Sequence, residues 1–201
     1  MVRSLAIFVI DDDPGVSRAL VSVGQLLDLE VVAFSSATSY LEHFNPDLPG
    51  CVVLDIKMPE MTGLELLKEF ASFEYALPTI VISGHADVPL TVEAMRRGAI
   101  TLLEKPFRLD ELTKYVRLAV ELDRKNREKM SLKAKRESQL ALLTQKEHEV
   151  LELVAQGKTN RQIASLLSIS QRAVEDRRAR LMRKVGARSV VELLELRRSQ
   201  S

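Results

Sequence analysis

Five short runs rich in Val, Ile and Leu recur through the first hundred or so residues: Leu5–Ile10, Glu30–Phe34, Cys51–Leu54, Thr79–Ile82 and Ile100–Leu103. Each is followed by a segment of helical character: Pro14–Leu27, Ala37–Phe44, Leu64–Phe73, Val88–Arg97 and Leu109–Asp123. Continuous apolar strands belong to sheets covered on both faces. Right-handed crossovers through the helices then give a doubly wound α/β sandwich around a five-stranded parallel sheet. The punctuation agrees. Asp13 before Pro14, and Asp87 before Val88-Pro89, set a cap next to a first-turn proline, and Gly98 follows Arg97 as a stop.

In such a sheet the carboxyl ends of the strands share one edge, and these folds build their sites there. Four of the runs end in residues suited to a phosphoryl group. Leu5–Ile10 leads into Asp11-Asp12-Asp13, Cys51–Leu54 into Asp55, Thr79–Ile82 into Ser83, and Ile100–Leu103 into Glu104-Lys105-Pro106. Taken singly these are caps, turn residues or solvated charges. Gathered at one edge they are a magnesium and phosphate constellation. Asp55 is the candidate nucleophile toward a phosphorylated donor. Asp11 and Asp12 are the candidate Mg²⁺ carboxylates, Lys105 places an ammonium opposite the metal, and Ser83 donates to the attached phosphoryl group.

The net charge of +1 hides an asymmetry. Residues 1–123 carry 10 Lys and Arg against 19 Asp and Glu, a balance of −9, whereas residues 124–201 carry 19 against 9, a balance of +10. Opposite halves point to two domains with different ligands, the basic one suited to a polyanion such as DNA. No apolar run is long enough to span a membrane or to form a signal-peptide core. Cys51, the only cysteine, rules out a disulfide within the chain and suits a cytoplasmic compartment. Its own residue type and setting read as a small buried hydrophobe. The three histidines form no metal set: His148 has no second His four residues on, His85 reads as loop packing or a contact with the phosphorylated donor, and His43 as a solvated helix face.

Residues 124–139 (RKNREKMSLKAKRESQ) are highly charged and bury little. They read as a helical extension or a flexible linker, with Glu121 and Lys125 favouring helix. From Leu140 the pattern is all helical. Thr144 and Glu147 suit a capping box, Thr159 and Ser170 start further helices, and Gly157 and Gly186 stop them. Two short helices around a tight turn, the second basic over Gln171–Val185, describe a helix-turn-helix, with a fourth helix at Val190–Arg198. On the basic helix Val174, Leu181 and Val185 share the inward face. Arg172, Glu175, Asp176, Ala179, Arg180 and Arg183 point toward the major groove of double-stranded DNA. Glu175 and Asp176 either accept from cytosine amino groups or stabilise the helix N-terminus. Lys158, Asn160 and Lys184 are candidate phosphate contacts, and Arg178 reads as a structural ion-pair partner.

The motifs Asp11-Asp12, Asp55 with Lys57-Met58-Pro59 and Gly63, Ser83-Gly84-His85 and Lys105-Pro106-Phe107 resemble the receiver domain of bacterial two-component response regulators. Residues 140–199 resemble the LuxR-type helix-turn-helix of FixJ-like and NarL-like regulators, through Leu143-Thr144-Gln145-Lys146-Glu147, Gly157-Lys158-Thr159-Asn160 and Lys184-Val185. The resemblance implies a CheY-like receiver over 1–123, a linker over 124–139 and an all-α DNA-binding domain over 140–201. It implies a transcription regulator rather than an enzyme, located in the bacterial cytoplasm. Asp55 would accept phosphate from a cognate histidine kinase. Asp12 would bind Mg²⁺ directly and Asp11 largely through water, with the main-chain carbonyl of Lys57 completing the protein ligands. The Lys105–Pro106 peptide would be cis, and phosphorylation would promote homodimerisation through helix 88–97, strand 100–103 and helix 109–123. Leu102 departs from the family, which carries an aromatic switch residue at that position. Two alternatives are a pseudo-receiver indifferent to phosphate and an aspartyl phosphohydrolase acting through Asp11-x-Asp13. Gly15 stands where the latter needs Thr or Val.

Overall fold

The computed structural model describes residues 5–197. The chain divides into two compact units, Met1–Arg127 and Glu128–Ser201. In the first, five strands alternate with helices: β1 (Ala6–Ile10), α1 (Pro14–Leu27), β2 (Glu30–Phe34), α2 (Ala37–His43), β3 (Gly50–Asp55), α3 (Gly63–Phe70), β4 (Thr79–Ser83), α4 (Val88–Arg96), β5 (Ala99–Glu104) and α5, which starts at Leu109. The sheet is parallel throughout, in the order β2-β1-β3-β4-β5. The three inner strands β1, β3 and β4 are buried at every position, which is why they read as unbroken apolar runs.

Alternation along each strand sends neighbours to opposite faces. Phe8, Ile10, Val52 and Leu54 join Tyr40, Leu66 and Phe70 in one core layer. Ile7, Val9, Cys51 and Val53 join Leu20, Val23, Leu112 and Val116 in the other. Start signals act as the chain suggests: Asp13 accepts from the Gly15 amide at 2.7 Å and Asp87 from the Leu90 amide at 2.7 Å. The strands run further than the apolar residues do. Asp55, Ser83 and Glu104 are the last ladder residues, because Ile56 still donates to the Ile82 carbonyl (3.1 Å) and Lys105 to that of Ser83 (2.7 Å).

Tyr40 packs edge-on to Phe34 and Phe70, with ring centroids 5.3 and 5.8 Å away, and its buried hydroxyl has no hydrogen-bond partner among the described residues. Burial pushes that hydroxyl well above the usual tyrosine range. Removing a buried, unsatisfied polar group relieves its desolvation. Tyr40→Phe is therefore expected to raise the stability of the first unit by about 1 kcal/mol in urea unfolding. A loss of stability would show that the hydroxyl has a partner.

Of the two readings of residues 124–139, the helical extension holds: the helix expected over 109–123 continues, so that α5 spans Leu109–Ala141 without a break. No Gly or Pro interrupts it, and ion pairs one turn apart support it: Glu121 with Arg124 (2.8 Å) and Lys125 (3.5 Å), and Asp123 with Arg127 (3.0 Å). The boundary between the two units falls after Arg127, inside the charged stretch 124–139. Leu140, near the end of α5, is buried in the core of the second unit. That unit continues with α6 (Gln145–Ala155), α7 (Asn160–Leu166), α8 (Gln171–Val185) and α9 (Val190–Arg197). Val150, Leu151, Ile163, Val174, Leu181, Val185 and Leu193 fill its centre. Ser168, in the turn between α7 and α8, takes the left-handed conformation (φ 52°), and Ser170 caps α8 by accepting from the Ala173 amide at 3.1 Å. Among the described residues no helix is long and apolar enough to cross a membrane.

Candidate functional site

The strand order makes β1 and β3 neighbours, with Ile10 in register with Leu54. The next residues, Asp11 and Asp55, are therefore brought side by side at the carboxyl edge. Lys105 reaches between them from the end of β5, its Nζ 2.8 Å from Asp11 Oδ2 and 2.8 Å from Asp55 Oδ1. The Lys105–Pro106 peptide is cis. The remaining oxygens are also engaged: Asp11 Oδ1 accepts from the Asp13 amide (2.8 Å) and Asp55 Oδ2 from the Lys57 amide (2.6 Å). Gly63 lets the start of α3 lie against the Asp55 carbonyl, and its amide donates to the Ile56 carbonyl at 3.0 Å.

Both carboxylates are buried, whereas Asp12 is exposed beside them. Burial pushes the Asp11 carboxyl above the usual carboxylate range, against the pull of Lys105 and the Asp13 amide. Burial alone would lower Lys105, but its bonds to Asp11 and Asp55 outweigh it and hold the ammonium above its ordinary value. Two buried carboxylates thus share one ammonium, and the carboxylate of Asp12 is exposed. All the donors are oxygens, and negative charge is in excess. This donor chemistry fits a hard divalent cation such as Mg²⁺. Among the described residues no three His, Cys, Asp or Glu side chains are already gathered as a metal cluster.

Ser83 is fully buried at the end of β4, but its hydroxyl turns into its own loop, donating to the His85 carbonyl at 2.8 Å and accepting from the His85 amide at 3.3 Å. It would have to release the His85 carbonyl to donate to a phosphoryl oxygen. Leu102 pairs in register with Val81 and packs against the core layer that holds Ala94.

In the second unit, Arg172, Glu175, Asp176, Ala179, Arg180 and Arg183 lie exposed on α8, opposite the buried Val174, Leu181 and Val185. Lys158 and Asn160 are half-buried around the start of α7. Arg178 does play a structural part, but its partner is an amide rather than a carboxylate: Nη1 donates to Asn160 Oδ1. Lys184, expected to contact phosphate, is committed within the unit. Its Nζ lies 2.7 Å from Glu147 Oε2 and 3.1 Å from the Leu142 carbonyl, because the last turn of α8 meets the capped start of α6. The same Glu147 oxygen accepts from the Thr144 amide (2.8 Å) and hydroxyl (2.9 Å).

Lys184 and Thr144 hold the Glu147 carboxyl down to about 2. A carboxylate whose folded value lies below its ordinary one stabilises the fold above that ordinary value of 4.5 and loses the contribution as pH falls toward about 2. Lys184→Met is expected to cost the second unit on the order of 2 kcal/mol at neutral pH. It should also flatten the loss of stability on acidification, as measured by hydrogen exchange of α6 and α8 amides in urea. An unchanged acid profile would remove the pair from the stability of this unit.

Residues 7–117 match the response regulator receiver domain family, and residues 141–196 match the LuxR family of bacterial regulatory proteins. Nodulation protein W of Bradyrhizobium diazoefficiens is 40% identical over 190 residues, covering 94% of this chain and 84% of that protein. The transcriptional regulatory protein FixJ of Azorhizobium caulinodans is 38% identical over 196 residues, covering 98% and 93%. Among solved structures, the response regulator StyR is similar with a TM-score of 0.87 at 35% identity, over 96% of this chain and 98% of that one.

Proposed function

The chain belongs to the two-component response regulators that join a receiver domain to a LuxR-type DNA-binding domain, and from that premise we propose that Asp55 is the phosphoacceptor through which a histidine kinase controls DNA binding. The observation that carries the reading is Lys105 bridging the buried Asp11 and Asp55 at 2.8 Å each. An Asp55 oxygen attacks the phosphorus of a phosphohistidine. The P–O bond forms, the P–N bond breaks, and the imidazole leaves with a proton from solvent. Asp11, Asp12 and the main-chain carbonyl of Lys57 would hold Mg²⁺ together with Asp55. When bound, the ion supplies positive charge that lets a carboxylate approach an anionic phosphoryl group. Lys105 then exchanges its bond to Asp55 for one to a phosphoryl oxygen, and the Ser83 hydroxyl turns from His85 toward the same group.

Val88, Val92 and Met95 form an exposed apolar stripe along α4, and Leu118 and Leu122 another on α5. Both suit a homodimer built on helix 88–97, strand 100–103 and helix 109–123. Pairing two DNA-binding units makes binding to two half-sites bivalent. Arg172, Arg180 and Arg183, with Lys158 and Asn160, are the proposed DNA contacts, and Glu175, Asp176 and Ala179 share their surface. Because Leu102 offers no large ring to rotate, the readout runs through Ser83 and α4. A receiver indifferent to phosphate is the competing reading that Leu102 favours.

Incubating the full chain with acetyl phosphate and Mg²⁺ and measuring its mass tests the proposal. One phosphoryl adduct per chain is expected. No adduct favours the phosphate-independent reading, and continuous turnover of acetyl phosphate through Asp11 favours a hydrolase.

A further inference from the structure

Asp123 has no exposed surface, although the chemistry proposed above does not use it. Its Oδ2 accepts from the amide of Gly50, the first residue of β3, at 3.0 Å. Its Oδ1 accepts from the Tyr75 hydroxyl, and Arg127 Nε donates to both oxygens at 3.0 Å. Arg127 reaches further. Its Nη2 donates to the carbonyls of Pro46 (2.9 Å) and Leu48 (2.7 Å), and its guanidinium lies 4.9 Å from the centre of the Tyr75 ring. Burial and the neighbouring Asp123 charge push the Tyr75 hydroxyl above its ordinary range.

A buried carboxylate is costly unless paired and fully hydrogen-bonded, and this one is. The receiver core does not require it, because the α5 side chains that fill that core are Leu112, Val116 and Ala119, all earlier in the helix. Asp123 and Arg127 also lie in the stretch between residues 117 and 141 that neither family match covers. The neighbouring pair Glu121–Arg124, by contrast, is exposed. The network therefore fastens α5 at the place where it leaves the receiver unit, to the loop before β3 and to the segment between α3 and β4. Strand β3 itself runs from Gly50, held by Asp123, to Asp55.

We propose that Asp123, Arg127 and Tyr75 are an anchor that extends the rigid body of the receiver along α5 as far as Arg127, and that the phosphorylation signal reaches residues 128 onward only while this anchor holds. The second half rests on the reading of Asp55 as phosphoacceptor. Arg127→Met keeps an unbranched side chain at the position and removes the guanidinium that donates and lies over Tyr75. Tyr75→Phe removes a single hydrogen bond and serves as a milder variant should Arg127→Met fold poorly.

Hydrogen exchange of the full chain, with and without acetyl phosphate and Mg²⁺, tests this, with the Asp55 adduct followed by mass in the same samples. In the wild type, amides 120–127 should exchange as slowly as the receiver strands, and the adduct should change exchange across 128–141. In Arg127→Met, protection over 120–127 should fall by about tenfold or more. The adduct and the protection of β3 and β4 should persist, while the response across 128–141 disappears. Unchanged protection over 120–127 in both variants overturns the anchor, and a retained response across 128–141 overturns its part in signalling. A wild type that forms no adduct instead defeats the phosphoacceptor reading. The anchor then stands or falls on the protection of 120–127 alone.

Discussion

In Asp55→Asn the adduct formed from acetyl phosphate and Mg²⁺ is expected to fall to background while the fold survives. The amide is neutral, so its oxygen is a poor nucleophile and draws no cation into the site. The fold survives because the amide oxygen can still accept from either the Lys57 amide or Lys105, which in the native chain lie 2.6 and 2.8 Å from the carboxylate. Lys105 also keeps Asp11 as a partner at 2.8 Å. One carboxylate then faces one ammonium, a better-balanced buried site than the native two against one. Thermal stability without Mg²⁺ should therefore be equal to or above that of the wild type. A full adduct in this variant, read by mass, would place the phosphoryl group on another side chain and remove Asp55 as acceptor.

Gly63→Ala should disturb the receiver more severely. A Cβ at this position would lie 2.2 Å from the Asp55 carbonyl oxygen, 3.0 Å from its carbon and 3.1 Å from the Ile56 Cα. All three are backbone atoms, so no side chain can swing away. Either the first turn of α3 retreats, or the Asp55–Ile56 peptide tilts and carries the carboxylate away from Lys105. Overpacking against an immobile wall costs about 2–4 kcal/mol. The rate of adduct formation should fall with it, by about tenfold or more, because the acceptor is displaced from its cation. Gly84→Ala is the matching control, since a Cβ there meets nothing within 4 Å. Equal melting temperatures and adduct rates for Gly63→Ala and the wild type would show that the strand end is not held as described.

Much of the carboxylate site was legible because parallel-sheet topology converts sequence order into spatial order. Once Leu5–Ile10 and Cys51–Leu54 read as buried parallel strands, Asp11 and Asp55 had to share one edge, and the strand order makes them neighbours there. The helix starts were equally legible, since Asp13, Asp87 and Ser170 act on amides two or three residues away. The orientation of the long side chains was not. Lys184 lies on a basic helix and reads as a phosphate contact, yet its partner Glu147 is 37 residues away. Ser83 reads as a hydroxyl aimed at phosphate, and it is turned toward His85.

Local periodicity and capping thus determined which segments are strands and helices, and the apolar pattern determined that the sheet is covered on both faces. These rest on interactions within a few residues or on burial, and both leave marks in the order of residues. Tertiary structure alone decided that Asp123 is buried beneath Arg127 and Tyr75, and that one ammonium serves both Asp11 and Asp55. Such pairings depend on groups 48 and 94 residues apart arriving at the same point. Charge in a sequence shows only that a partner is needed. The packed chain chooses which one.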